Sequence, residues 1–257
     1  MNSQPELVAA ADQNFVASFR KLVEHSPGGA IRESGDTFAF VTGLPISLFN
    51  GVVVTEPTTP AELAAALEWV NGRSDVLRAF VAEKLAAELG EVPIAAGLER
   101  EPALYPGMVL HPAPEPPAPA VGVTVVPIAA EGLDEFHGLL IEGGMAPEVV
   151  RRVIPASFAD DPDVQLFVGR LGGLPVGTSI AIRSGRSSGV YYVGTRPEAR
   201  RRGVATTLTW AAAEAGKAWG CDAIVLPSSP MGLAMYSEMG FRTVAPYVVF
   251  TKRVGTV

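Results

Sequence analysis

The sequence predicts an α/β (α+β) fold, a mixed and largely antiparallel twisted sheet flanked by helices, in two related halves. Three observations carry this expectation. Short apolar strands separated by turn residues alternate with helical stretches through the second half. One strand there, 190–195, runs through an arginine-rich turn into a helix that opens at Gly203. The first half holds a fainter version of the same order.

The first half offers Gly51-Val-Val-Val-Thr55 as a strand, similar to Gly189-Val-Tyr-Tyr-Val-Gly-Thr195. A helix follows in both places. Thr59, Pro60 and Glu62 form a capping-box start, and Leu63, Leu67 and Val70 line one face. Asp75-Val-Leu-Arg78 then resembles Asp222-Ala-Ile-Val225, and Gly97 to Leu110 resembles Gly240 to Phe250. His111 to Ala120, with its alternating prolines, cannot form helix or central strand and reads as an extended linker. The expected division is therefore residues 1–110, a linker 111–120, and residues 121–257.

In the second half the alternating valines from Val121 predict a strand. Leu133, Phe136 and Leu140 mark one helix; Val150, Val153, Ile154 and Phe158 mark another. Gln165–Arg170 and Leu174–Arg183 read as a hairpin closed by Gly172-Gly173. Residues 184–189 read as a second turn, and Val190–Thr195 as the third strand of the meander. The helix from Gly203 to Trp219 has its stripe at Val204, Leu208, Ala211, Ala212, Ala215 and Trp219. Asp222–Ser228 is a buried strand. Ser229 is expected as N-cap of a last helix with Pro230 at its first position, Gly240 as its C′ residue, and Arg242–Lys252 as the closing strand.

The passage 190–208 carries the chemistry. A strand feeding a helix amino terminus leaves several N–H groups without intrahelical partners, and the helix dipole favours an anion there. Arg200, Arg201 and Arg202 add positive charge in a chain whose net charge is −7, so the basic cluster is local. That net charge argues against nucleic-acid binding through a broad basic surface. The single cysteine, Cys221, excludes an internal disulfide and a cysteine-rich zinc site. His25, His111 and His137 lack ligand spacing, so no metal is expected. No secretory signal or membrane span is visible, and a cytoplasmic location with no membrane partner is the expectation.

Two motifs carry a family resemblance. Arg200-Arg-Arg-Gly203-Val-Ala205 follows a strand, with Pro197-Glu198 ahead of it; Tyr236-Ser-Glu-Met-Gly240-Phe241 lies downstream. Together they resemble the GNAT superfamily of N-acetyltransferases, over about residues 121–252. The resemblance implies acetyl-CoA as cosubstrate, with its pyrophosphate held by Arg200, Arg201, Arg202, Gly203, Val204 and Ala205. It implies a pantetheine arm paired with the strand edge at Val193, Gly194 and Thr195, a CoA contact near Ser228, and Tyr236 as general acid. Family members often carry asparagine where this chain has Ser228-Ser229. The first half then becomes a degenerate copy without the CoA loop, since Glu56-Pro-Thr-Thr-Pro60 replaces the arginines.

The expected activity is acetyl transfer to a primary amine of a small-molecule or peptide acceptor by direct attack. The alternative is a non-catalytic CoA-binding sensor or assembly protein. Tyr191, Tyr192, Glu135, Glu142 and Asp160 are open candidates for a general base, and loops 141–145 and 159–163 for the acceptor pocket. A homodimer is compatible with this reading.

Overall fold

The computed structural model describes residues 3–253. In chain order the elements are α1 (Gln4–Glu24), β1 (Ala30–Ser34), β2 (Thr37–Val41), β3 (Asn50–Val54), α2 (Pro60–Asn71), β4 (Leu77–Ala82), α3 (Ala86–Leu89), α4 (Glu91–Ala95), β5 (Glu99–Arg100) and β6 (Tyr105–Leu110). There follow β7 (Val123–Ile128), α5 (Leu133–Glu142), α6 (Pro147–Val153), α7 (Ala156–Ala159), β8 (Val164–Leu171) and β9 (Leu174–Ser184). Last come β10 (Ser187–Thr195), α8 (Val204–Ala218), β11 (Ala223–Pro227), α9 (Leu233–Glu238) and β12 (Arg242–Lys252). Contacts divide the chain into a larger unit, residues 3–15 and 108–244, and a smaller one, 16–107 and 245–253.

In the smaller unit β1, β2 and β3 pair antiparallel, β4 lies parallel to β3, and β12 closes antiparallel on β4. The parallel step needs a crossover, which α2 supplies. Its start is fixed locally. Thr59 Oγ1 accepts from the Glu62 N–H at 3.2 Å, Glu62 Oε2 accepts from the Thr59 N–H at 2.9 Å, and Pro60 occupies the first turn. Leu63, Leu67 and Val70 pack against the alternate residues Val52, Val54, Ala79 and Val81. Burying each such leucine or valine contributes about 1.5–3 kcal/mol.

The larger unit repeats that order. β7, β8, β9 and β10 form an antiparallel meander, and β11 lies parallel to β10 across the helix α8. Gly172 and Gly173, at φ 59° and 85°, give the β8–β9 hairpin the left-handed pair that tight turns require. Val204, Leu208, Ala212 and Ala213 bury the inner face of α8 against Val176, Ala181 and Ile224.

Three local expectations change. Ser187–Gly189 belong to β10, so the β9–β10 turn shrinks to Gly185-Arg186. Their serine-rich composition suggested a loop, yet Ser187 and Ser188 are buried. The helix expected through Phe158 is split into α6 and α7 at Pro155, whose missing N–H and bulky ring end the first piece. The last helix starts at Leu233 and not at Pro230. Nor do the compact units follow the linear halves: the strand closing each sheet comes from the other half of the chain, β6 beside β11 and β12 beside β4. Residues 111–120 form no helix or strand and run along the larger unit, where the Ala120 N–H donates to Thr207 Oγ1 at 3.4 Å. Among the described residues no helix is long and apolar enough to cross a membrane.

The capping box sets a pH-dependent prediction. The Thr59 N–H and hydroxyl hold the Glu62 carboxyl below the usual carboxylate range. Its contribution is therefore full above the unfolded value of about 4.3 and is lost as pH falls through the lower folded value. Thr59→Ala should cost about 1 kcal/mol near neutrality. Urea unfolding should show that gap narrowing in acid; a gap independent of pH would contradict the assignment.

Candidate functional site

The site arises where β10 leaves β11. The two strands pair only at Ser187–Ala223, Ser188–Ile224 and Gly189–Val225, although β10 continues to Thr195. On its other side β10 stays paired with β9, with one extra residue between Tyr191 and Gly194. Tyr192 takes φ 51° at this bulge, and its carbonyl accepts from Thr178 Oγ1 at 2.8 Å. From Val193 to Thr195 the edge away from β9 therefore has no strand beside it among the described residues. Thr195 Oγ1 is buried with no hydrogen-bond partner among the described residues.

The chain then turns into α8. The Ala199 N–H donates to Arg196 O and the Arg200 N–H to Pro197 O, after which Arg201 and Gly203 both adopt left-handed backbone, φ 55° and 77°. A residue other than glycine costs about 1–2 kcal/mol there. Gly203 serves as N-cap without a side-chain cap, and the first backbone N–H to find a helical acceptor is that of Thr207, at 2.9 Å from Gly203 O. The N–H groups of Arg201 to Thr206 have no backbone partner among the described residues. Gly203 is required twice over, because a Cβ there would also lie 2.5 Å from the Ala120 Cβ.

The strand edge and the helix start share a cavity of about 940 Å³. Of the residues expected at the site, Val193, Gly194, Thr195, Arg200, Arg201, Gly203, Val204, Ala205 and Tyr236 line it. Arg202 and Ser228 do not. Arg202 is exposed and lies outside the lining. Ser228 is fully buried and donates to Ser229 O at 2.8 Å, leaving Ser229 on the wall. That inversion follows from the late start of α9. A turn from Ser229 to Gly232 precedes it, and Ser229 Oγ accepts from the Gly232 N–H at 3.3 Å.

Tyr236 owes its placement to the end of α9. The Phe241 N–H reaches back to Tyr236 O and the Gly240 N–H to Ser237 O, both at 3.0 Å, with Gly240 at φ 95°. This is a Schellman cap, and its apolar partners are the Tyr236 and Phe241 rings, 5.8 Å apart edge to face. The Tyr236 ring also lies over Gly232, where a Cβ would come within 2.8 Å. The spacing of tyrosine, glycine and phenylalanine is thus the spacing of a helix cap, and it holds the tyrosine on the cavity wall.

The candidate bases separate by position. Glu135 binds Arg170 through both oxygens at 2.7 and 2.8 Å, and Tyr191 donates to Asn14 Oδ1 at 2.7 Å. Asp160 ends α7 outside the cavity, as does the loop 159–163, whose Asp163 pairs with Arg183. Glu142 and Tyr192 line the cavity. Glu142 meets Arg196 at 2.5 and 2.7 Å on the rim, a pairing absent from the sequence reading. Burial pushes the Cys221 thiol up, away from nucleophilic use. No group of three or more His, Cys, Asp or Glu side chains that could hold a metal occurs among the described residues.

The comparisons agree with this geometry. The model of the "Acetyltransferase (GNAT) family" matches residues 140–241. A GCN5-related N-acetyltransferase from Kribbella flavida superposes at TM-score 0.69 with 20% identity, covering 96% of this chain and 97% of its own. A GCN5-related N-acetyltransferase from Sphaerobacter thermophilus reaches TM-score 0.60 at 18% identity, covering 96% and 91%. A tandem GNAT protein from the clavulanic acid biosynthesis pathway reaches 0.58 at 16%, covering 96% and 98%. At these identities the likeness is one of fold. No curated protein sequence matches the chain.

Gly203→Ala should lower stability by about 1–2 kcal/mol, from backbone strain and the Ala120 contact together. Adding Ala120→Gly should restore only the contact part in thermal melts. Full recovery would show that the left-handed conformation is not needed.

Proposed function

We propose that this chain, whose residues 140–241 match the model of the Acetyltransferase (GNAT) family, transfers an acetyl group from acetyl-CoA to a primary amine by direct attack. The observation that carries this reading is the uncapped start of α8, with six consecutive N–H groups lacking backbone partners beside Arg200 and Arg201. A pyrophosphate supplies the acceptors that such a cradle lacks, and hydrogen bonds to a charged group are worth about 1.5–3 kcal/mol each.

The remaining steps fall to residues lining the same cavity. Val193–Thr195 offer an unpaired strand edge to the extended, amide-bearing pantetheine arm, as an added strand would use it. In this reading an N–H on that edge holds the thioester oxygen as the neutral amine attacks. The new C–N bond forms, the C–S bond breaks, and Tyr236 donates its hydroxyl proton to the departing sulfur. A thiol of pKa about 8.5 leaves more readily when so protonated.

The smaller unit fits a second copy of the scaffold that lost the cradle. β1-β2-β3-α2-β4 repeats the order and pairing of β8-β9-β10-α8-β11, including the single parallel step. At α2 the place of the anion is taken by the protein itself. Thr59 and Glu62 satisfy its first donors, Pro60 has none, and Glu56 stands in the connecting loop, 3.3 Å from Lys84.

Thiol release from acetyl-CoA over a panel of amines tests the activity. Tyr236→Phe should lower kcat by about 10²–10⁴-fold with CoA affinity unchanged. CoA binding without thiol release from any amine would instead assign a non-catalytic CoA-binding protein.

A further inference from the structure

Asn14 lies on the buried stripe of α1, beside Ala10, Ala11 and Phe15, and is 0% exposed. A buried carboxamide must find partners for its oxygen and both N–H groups. Asn14 finds them at the root of β10. Its Nδ2 donates to Ile182 O at 3.0 Å and lies 3.4 and 3.3 Å from Ser187 O and Oγ. Its Oδ1 accepts from the Tyr191 hydroxyl at 2.7 Å, and that hydroxyl also lies 3.1 Å from Asn14 O.

These bonds sit at a decisive place. Gly189 is the last β10 residue paired with β11. A Cβ there would run into Asn14 Oδ1 and the Tyr191 ring, so the tyrosine folds back over the glycine two residues before it. The bulge at Tyr192 and Val193 follows at once.

We propose that Asn14 is a positioning residue for the site. By clamping Tyr191 over Gly189 it fixes where β10 departs from β11, and thereby where Val193–Thr195 present their backbone groups. A segment more than 160 residues away in sequence, outside the span 140–241, then belongs to the acyl-carrier site. The inference rests on the proposed function for its ligand, but the geometry it claims is testable without one.

The test uses the full chain with Asn14→Ala, Tyr191→Phe and the double variant, the tyrosine change being the milder for folding. Amide hydrogen exchange on the ligand-free protein should quicken at residues 193–195 and stay unchanged at 166–168 in β8. The KM for acetyl-CoA should rise about tenfold, the scale of one buried hydrogen bond, with the KM for the amine unchanged. The double variant should rise by less than the two single effects combined, because the carboxamide and the hydroxyl share the 2.7 Å bond. Wild-type exchange at 193–195, or equal loss of protection across the whole sheet, would overturn the proposal. If wild-type protein fails to bind CoA the functional reading falls, while local quickening at 193–195 still supports the clamp and its absence still refutes it.

Discussion

The structure turns on a helix that begins without a cap. Most helices satisfy their first donors with a serine, threonine or aspartate side chain, as α2 does with Thr59 and Glu62. At α8 that position is Gly203, which has no side chain and stands in left-handed backbone. Among the described residues the N–H groups from Arg201 to Thr206 have no backbone acceptor, and the helix dipole favours negative charge there. The two helices occupy matching places between parallel strands, so the comparison is internal to one chain. One start is closed by its own residues; the other is open.

The proposed function needs a carrier to run from this helix start to a reacting centre. The strand edge left where β10 departs from β11 is the path it would use, and the geometry of that edge is over-determined. Gly189 and Tyr191 are held under Asn14, Tyr192 is turned by the bulge, and Thr178 ties the bulge carbonyl to β9. Gly177 admits a close approach, since a Cβ there would lie 2.5 Å from Gly194 O. Tyr236 reaches the same cavity through a helix cap, so its position depends on Gly240 and Phe241 rather than on any residue of the cradle.

Much of this was legible in the sequence because it is local. The capping box at Thr59, the Gly172-Gly173 turn, the helix opening at Gly203 and the cap at Gly240 each depend on residues within a few positions of one another. What failed to show depends on distance or on direction. Arg202 belongs to the basic run but lies outside the cavity, next to Arg201 and Gly203, whose left-handed backbone the run of arginines does not reveal. Ser228 and Ser229 exchange roles because one extra turn precedes α9. Asn14 carries no sequence signal at all: its partners lie near residues 182–191, and only the folded chain brings them together. The exchange of closing strands, β6 and β12, was hidden for the same reason.

The central claim is that the donors of residues 201–206 hold a pyrophosphate. Titrating isotope-labelled protein with coenzyme A and following backbone amide resonances tests it most directly. The account expects the largest shifts at Arg201–Thr206 and Val193–Thr195, with the start of α2 unmoved. Absence of shifts at 201–206, or equal shifts at the start of α2, would contradict it.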